Sequence, residues 1–330
     1  MQSTGSSKKT KAGLSRFSSW IRFAISFSLL FFILRSLDLN QLVSIFKNIT
    51  IKYVIAVFAI DIGLRLFVSY RWYVLLNRTH PTFGLGEATR ITFVSNFIGQ
   101  FFPSWIGIEA MRIYGMAKKT SDLSGSFISV FIDRILGIFS LLITVCIGLV
   151  FVPEGLHPNI KLTAWISSGL MLLMFILMFH RMPRKAIETL LPGRLKSLLG
   201  AKLTKLYQSI DEYKHYPWTL AWALILAIIF QFFRAIWAYV AALSLGIQPP
   251  LLHFFALFPI ILFMMLLPIS VAGIGVREFS LVYIFSKFGI MDEASALSVS
   301  IIIFASTLFS TLPGAFLYNK KRSVDSSSTK

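Results

Sequence analysis

Long apolar runs separated by short polar breaks dominate the chain. Residues 20–34, 53–76, 126–152, 162–179, 217–245 and 294–318 are continuous enough in apolar side chains to be read as membrane-crossing helices, because about 20 such residues cross the hydrocarbon core. The first is short and opens with Arg22, whose long stem can carry its charge to the headgroups. Residues 37–52 place Leu39, Leu42, Val43 and Phe46 at helical spacing, which predicts an interfacial amphipathic helix. The runs do not alternate apolar with polar, so a β-barrel is excluded.

Two further apolar regions, 87–115 and 251–288, are interrupted. The first contains Arg90, Asn96, Gln100, Pro103, Ser104, Gly107, Glu109 and Arg112; the second contains Pro268, Gly273, Gly275, Arg277 and Glu278. Irregular backbone at membrane depth is tolerated only where protein buries it or where it lines a wet cavity. Ionisable side chains there obey a similar rule. Both regions are therefore predicted to be re-entrant hairpins, with Pro103, Gly107, Pro268, Gly273 and Gly275 as their breaking points.

Charge placement sharpens this picture. With the basic N-terminus in the cytoplasm, Lys118 and Lys119, the basic segment 180–216 and Lys320 to Arg322 all fall on the same side only if neither interrupted region crosses the membrane. The expected architecture is an all-α polytopic membrane protein with about six full transmembrane helices and two re-entrant hairpins, located in the cell membrane with both termini cytoplasmic. Residues 1–19 and 321–330 are expected to be disordered tails around one transmembrane domain, 20–320. Segment 180–216 carries a stripe of leucines among its lysines and arginines and is expected to lie on the cytoplasmic face. Segments 53–152 and 217–318 follow one plan in opposite directions: a span bearing an arginine, a turn, an interrupted hairpin, a span. That is the plan of an inverted-topology repeat, which puts a substrate site where the hairpins meet.

Composition agrees: 56% of residues are hydrophobic and 14% charged, against about 45–50% and about 25% in soluble domains. The net charge of +18 would suggest nucleic acid in a soluble protein, but here it is the cytoplasmic lysine and arginine bias. Nucleic acid is excluded as a partner because no basic segment is large enough to fold alone. The single cysteine, Cys146, precludes a disulfide within the chain. The five histidines lack metal-ligand spacing, and no nucleophile-elbow or phosphate-loop motif occurs, so neither a metal, a cofactor nor an enzymatic activity is expected.

The intramembrane charges carry the functional expectation. Arg112 and Arg277 are suited to bind a headgroup phosphate, since guanidinium groups hold phosphate bidentately. Arg65, Arg90, Glu109, Arg134, Arg234 and Glu278 are expected to form the surrounding polar cleft, with internal ion pairing as the competing explanation for each. Asp61, four residues before Arg65, is expected to pair with it structurally.

In order along the chain, Asn96, Pro103, Gly107 and Arg112, then Asp133-Arg134 with Gly137, then Pro268, Gly273, Gly275 and Arg277-Glu278 make the sequence resemble the lysylphosphatidylglycerol synthase transmembrane-region family, over roughly residues 20–320. The resemblance implies a flippase-like membrane domain in its stand-alone form, without the synthase domain. It implies movement of an anionic or phosphate-containing lipid between leaflets: an aminoacylated phospholipid, an isoprenoid-phosphate sugar carrier or another glycolipid. The alternative is a non-transporting scaffold for a glycosyltransferase or lipid synthase; a membrane enzyme acting on lipid phosphates comes third. A second copy of the chain is admitted as a partner as well.

Overall fold

The computed structural model describes residues 44–102, 106–151, 215–265 and 275–318, together with Leu162, Ile166, Gly169 and Tyr213. The expected spans 20–34 and most of 162–179, nearly all of segment 180–216, both tails, Pro103, Pro268 and Gly273 lie outside the described residues. Of the expected interfacial helix 37–52, residues 44–47 form a helical turn ahead of the first long helix.

Among the described residues eight helices follow and there is no strand. They are α1 (Ile51–Thr79), α2 (Leu85–Gly99), α3 (Ile106–Thr120), α4 (Leu123–Phe151), α5 (Pro217–Ser244), α6 (Leu251–Met265), α7 (Val276–Lys287) and α8 (Glu293–Phe309). After a turn at Ser310 and Thr311 the last helix resumes and runs to Tyr318. Three are long and apolar enough to cross a membrane: α4, α5 and α8 with its continuation. Helix α1 matches α4 in length at 29 residues and carries Asp61 and Arg65 inside it. The chain is an all-α polytopic membrane protein.

The order of lengths, long-short-short-long, occurs twice. Helices α2 and α3 have 15 residues each, and α6 and α7 have 15 and 12. At 1.5 Å per residue none exceeds about 22 Å, against a hydrocarbon core of about 30 Å. Each short pair folds back on itself. The start of α2 meets the end of α3, where Lys119 Nζ lies 2.9 Å from Glu87 Oε1. The start of α6 meets the end of α7, where the Phe254 and Phe285 rings lie 4.8 Å apart. Pro103 stands as far before Arg112 as Pro268 does before Arg277.

Helices α1 and α5 open the two halves and pack antiparallel. The Thr50 N–H at the start of α1 donates to the Ser244 carbonyl at the end of α5 (2.7 Å). At the other end, the Thr79 and Tyr213 hydroxyls lie 3.4 Å apart. Tyr213, buried against Leu75, Ile128, Ile132, Leu136 and Ala223, fastens the chain just before α5 to α1 and α4. The main apolar core lies between α1, α4, α5, α6, α7 and α8; a smaller one around Trp72, Phe83 and Met116 seats the first hairpin on α1.

Glycine governs how closely the halves approach. Near the end of α4, a Cβ on Gly148 would lie 3.0 Å from the Ala256 Cα on α6 and would overlap the Ala256 carbonyl. Near the end of the last helix, a Cβ on Gly314 would lie 2.7 Å from the Phe93 carbonyl carbon on α2. Each contact sets the closing helix of one half against the first short helix of the other. Gly148→Leu and Gly314→Leu must push two backbones apart, and overpacking of this kind costs about 1–3 kcal/mol. Both variants are expected to lower the melting temperature in detergent by similar amounts; an unchanged melting temperature in either would show that its contact is not tight.

Candidate functional site

Within this frame Asp61, Arg71, Arg112, Asp133, Arg277 and Glu278 are buried, and a buried charge must be met by another part of the protein or left strongly interacting. Asp133, 1% exposed, sits about three turns into α4. Two arginines share it. Arg71 on α1 donates from Nε to Asp133 Oδ1 at 2.8 Å, and Arg112 on α3 donates from Nη1 to Oδ2 at 2.9 Å. One carboxylate thus faces two guanidiniums, and one positive charge is left over in a buried place.

The excess is concentrated on Arg112. It lies in the second turn of α3 and is 7% exposed. Its guanidinium carbon stands 4.2 Å from the centre of the Trp72 ring, a stacking that fixes the plane of the group. Only Nη1 is used; Nε and Nη2 are buried without a hydrogen-bond partner among the described residues. A buried charged donor without a partner is costly, and where one persists in a native fold it calls for an explanation.

A second set of charges continues from this one. Arg71 and Arg234 approach the same Phe230 ring, at 5.9 and 5.7 Å. Arg234 is within electrostatic reach of Asp61 and Arg134. Asp61 Oδ2 accepts from the Ser310 hydroxyl at 2.8 Å and lies 3.8 Å from Arg65 Nη2. Arg65 in turn donates to Ser310 Oγ (2.6 Å) and to the Thr307 carbonyl (3.0 Å), so α1 is pinned to α8 where α8 breaks. Arg134 Nε lies 3.1 Å from Glu109 Oε1. From Arg112 to Ser310 the described residues bring together five guanidiniums (Arg65, Arg71, Arg112, Arg134, Arg234) and three carboxylates (Asp61, Glu109, Asp133).

Arg277 and Glu278 form a separate centre at the start of α7. Both Nε and Nη2 of Arg277 donate to Glu278 Oε1, and Nε also reaches Ser300 Oγ on α8 at 3.1 Å. Glu278 Oε2 accepts the Gly275 N–H at 2.7 Å. Gly275 has φ +84, a conformation that favours glycine and lets the chain turn sharply into the helix. The guanidinium also rests 4.9 Å from the Phe304 ring. Here one acid balances one base, and the donors named are engaged. Where Arg112 meets an acid on the facing helix α4, Arg277 meets a serine on the facing helix α8, and its acid is its own neighbour. The two arginines, equivalent in the sequence pattern, have different surroundings.

Arg90 is set apart from both centres. It donates to Glu87 Oε2 at the base of the first hairpin (2.8 Å), where Lys119 also binds Glu87. Of the predicted hinge residues, Gly107 is packed against Phe102, with no room for a Cβ.

Three residues of the first centre carry more than the sequence pattern assigned them. Arg71 falls toward the cytoplasmic end of the expected span 53–76 and is given no partner there. Asp133 is overshadowed by its neighbour Arg134. Gln231, which donates to Ser140 Oγ (3.2 Å) and to the Gly137 carbonyl (3.4 Å) one turn beyond Asp133 on α4, appears only as an isolated amide in a span. For Asp133 a signal existed: a carboxylate in the middle of an apolar run must have a cation facing it.

The family model for the lysylphosphatidylglycerol synthase TM region matches residues 19–314. The chain belongs to that family. A UPF0104 membrane protein from Methanocaldococcus jannaschii is 23% identical over 293 residues, covering 84% of this chain and 87% of the relative. Family membership thus extends across both hairpins, the Arg71–Asp133–Arg112 centre and the Arg277–Glu278 pair.

Proposed function

We propose that the protein moves a phosphate-bearing lipid between the leaflets of the cell membrane, with the headgroup phosphate held by Arg112. The observation that carries this reading is the pair of unpartnered, buried donors on Arg112. Together with the unbalanced charge around Asp133 they make a place that is short of an anion. A phosphate oxygen or two would fill it, since charge-assisted bonds to guanidinium are the strong ones. Membership of the lysylphosphatidylglycerol synthase TM-region family supports a lipid of this class.

In this reading α2–α3 and α6–α7 are re-entrant hairpins entering from opposite faces, and both termini are cytoplasmic. The short arms and meeting ends of each hairpin favour it, as does the lysine and arginine bias of the sequence, which puts Lys118, Lys119 and Lys320 to Arg322 on one side only if neither hairpin crosses. Arg65, Arg134 and Arg234, with Asp61 and Glu109, supply the polar surroundings through which the headgroup passes while the acyl chains stay in lipid. Arg277 and Glu278 hold the entry to α7 and complete the second hairpin.

The purified protein in vesicles is expected to speed the exchange of tail-labelled phosphatidylglycerol between leaflets, read by dithionite quenching. A tail-labelled diacylglycerol glycolipid without phosphate is expected to move no faster than in empty vesicles. No acceleration of the phosphate lipid, or equal acceleration of both, would overturn the proposal.

A further inference from the structure

Gln231 lies on α5 beside the Asp133 centre and is 4% exposed. Its Nε2 donates to Ser140 Oγ (3.2 Å) and to the Gly137 carbonyl (3.4 Å) on α4. A carbonyl only accepts, so this contact fixes which end of the amide faces α4. The other end, Oε1, is buried with no hydrogen-bond partner among the described residues. An amide that served only to join two helices would engage both of its ends and leave no acceptor stranded.

Its neighbours belong to the anion centre. Gly137 is one turn of α4 beyond Asp133, about 6 Å along the helix. A Cβ built on Gly137 would meet nothing within 4 Å except the Arg71 guanidinium, at 3.6 and 3.9 Å. Arg71 and Gln231 therefore pack against the same stretch of α4, with Ser140 and Thr144 continuing the polar face at helical spacing. Unused donors lie on Arg112, which is held to α4 by Asp133, and an unused acceptor lies on Gln231, which is held one turn further along α4 by the Gly137 carbonyl. Phosphate oxygens are acceptors only; the stranded acceptor calls for a donor on the same headgroup, a short carbon chain from the phosphorus.

We infer that Gln231 is a specificity-determining residue: its free carbonyl accepts a hydrogen bond from a hydroxyl or amino group of the headgroup whose phosphate sits on Arg112. The inference rests on the proposed lipid movement and narrows its substrate class. Phospholipids whose headgroup ends in a hydrogen-bond donor are favoured over ones of equal charge that lack it. Phosphatidylglycerol and phosphatidylmethanol make that comparison, since both carry one phosphodiester charge and only the first has hydroxyl groups.

Tail-labelled forms of both are followed in vesicles containing the wild type or Gln231→Met, which keeps length and apolar packing. The wild type is expected to move phosphatidylglycerol about tenfold faster than phosphatidylmethanol, the worth of one well-made hydrogen bond. In Gln231→Met the ratio is expected to fall to about one, through slower movement of phosphatidylglycerol with phosphatidylmethanol nearly unchanged. Equal wild-type rates for the two lipids would overturn the inference and leave lipid movement standing, as would a ratio that survives the substitution. Movement of neither lipid would sink the functional reading itself. Binding gives a readout separate from transport: in detergent, short-chain phosphatidylglycerol is expected to raise the wild-type melting temperature more than short-chain phosphatidylmethanol, and Gln231→Met to equalise the two shifts. Equal shifts in the wild type would overturn the inference.

Discussion

Asp133→Asn is expected to be the most destabilising single change among the intramembrane charges. The substitution keeps the volume and leaves Arg71 and Arg112 facing each other with no anion between them. Removing one partner of a buried pair costs about 3–5 kcal/mol because a buried charge is left uncompensated. Here two charges are left, and they also repel, so the loss is expected at the top of that range or beyond. Against a typical total stability of about 5–15 kcal/mol, that takes most of the margin. The measurement is the melting temperature and the yield of folded protein in detergent. Removing one cation as well should recover part of the loss: Asp133→Asn with Arg71→Gln is expected to be more stable than Asp133→Asn alone. A double variant no better than the single one would show that charge imbalance is not what Asp133 relieves.

That expectation turns on a pairing the sequence does not display. Arg71, Arg112 and Asp133 come from three helices, and which of them meet is decided by the rotation and crossing of those helices. The linear pattern records only that each interrupts an apolar run. It places Arg112 well, because Pro103 and Gly107 mark the break before α3. It places Arg71 near the cytoplasmic end of the expected span 53–76 and gives it no partner. The helix instead continues to Thr79, and Arg71 is buried well before its end. Helix limits are more legible: 217–245 was expected and α5 is Pro217–Ser244; 126–152 was expected and α4 is Leu123–Phe151. There the signal is continuous hydropathy bounded by proline or polar turns, which needs no knowledge of neighbours. The matching of Arg112 with Arg277 is likewise legible as spacing, whereas the difference between them is not. It depends on an acid standing on the facing helix in one half and beside the arginine in the other.

Ser310 illustrates the same limit. Nothing in the sequence distinguishes it from the other serines of the last span. In the structure it sits in the turn that breaks this helix and bridges Arg65 to Asp61. The expected Asp61–Arg65 pair is present at 3.8 Å, but the shorter contacts of both side chains run through Ser310. A helical wheel finds the pair; only the packing of α1 on α8 finds the hydroxyl between them.

Arg112→Gln is expected to separate function from folding in the direction opposite to Asp133→Asn. Without Arg112, Asp133 keeps Arg71 at 2.8 Å and the centre becomes neutral. The cation–π contact with Trp72 is lost, and so are two stranded donors whose burial opposed folding. These effects oppose one another, and the melting temperature is expected to stay close to that of the wild type. Transport is expected to collapse. Two charge-assisted bonds to the phosphate, each about 1.5–3 kcal/mol, amount to at least about 3 kcal/mol, or more than a hundredfold in the rate at low lipid concentration. Arg112→Lys separates charge from shape: an ammonium group restores the positive charge but lacks the planar fork that engages two phosphate oxygens beside Asp133. Its rate is expected between those of Arg112→Gln and the wild type. If Arg112 were only a counter-ion to Asp133, lysine would serve nearly as well as arginine, and any loss of transport in Arg112→Gln would follow a loss of stability. A folded Arg112→Gln protein that moves phosphatidylglycerol at the wild-type rate would remove the phosphate from this site.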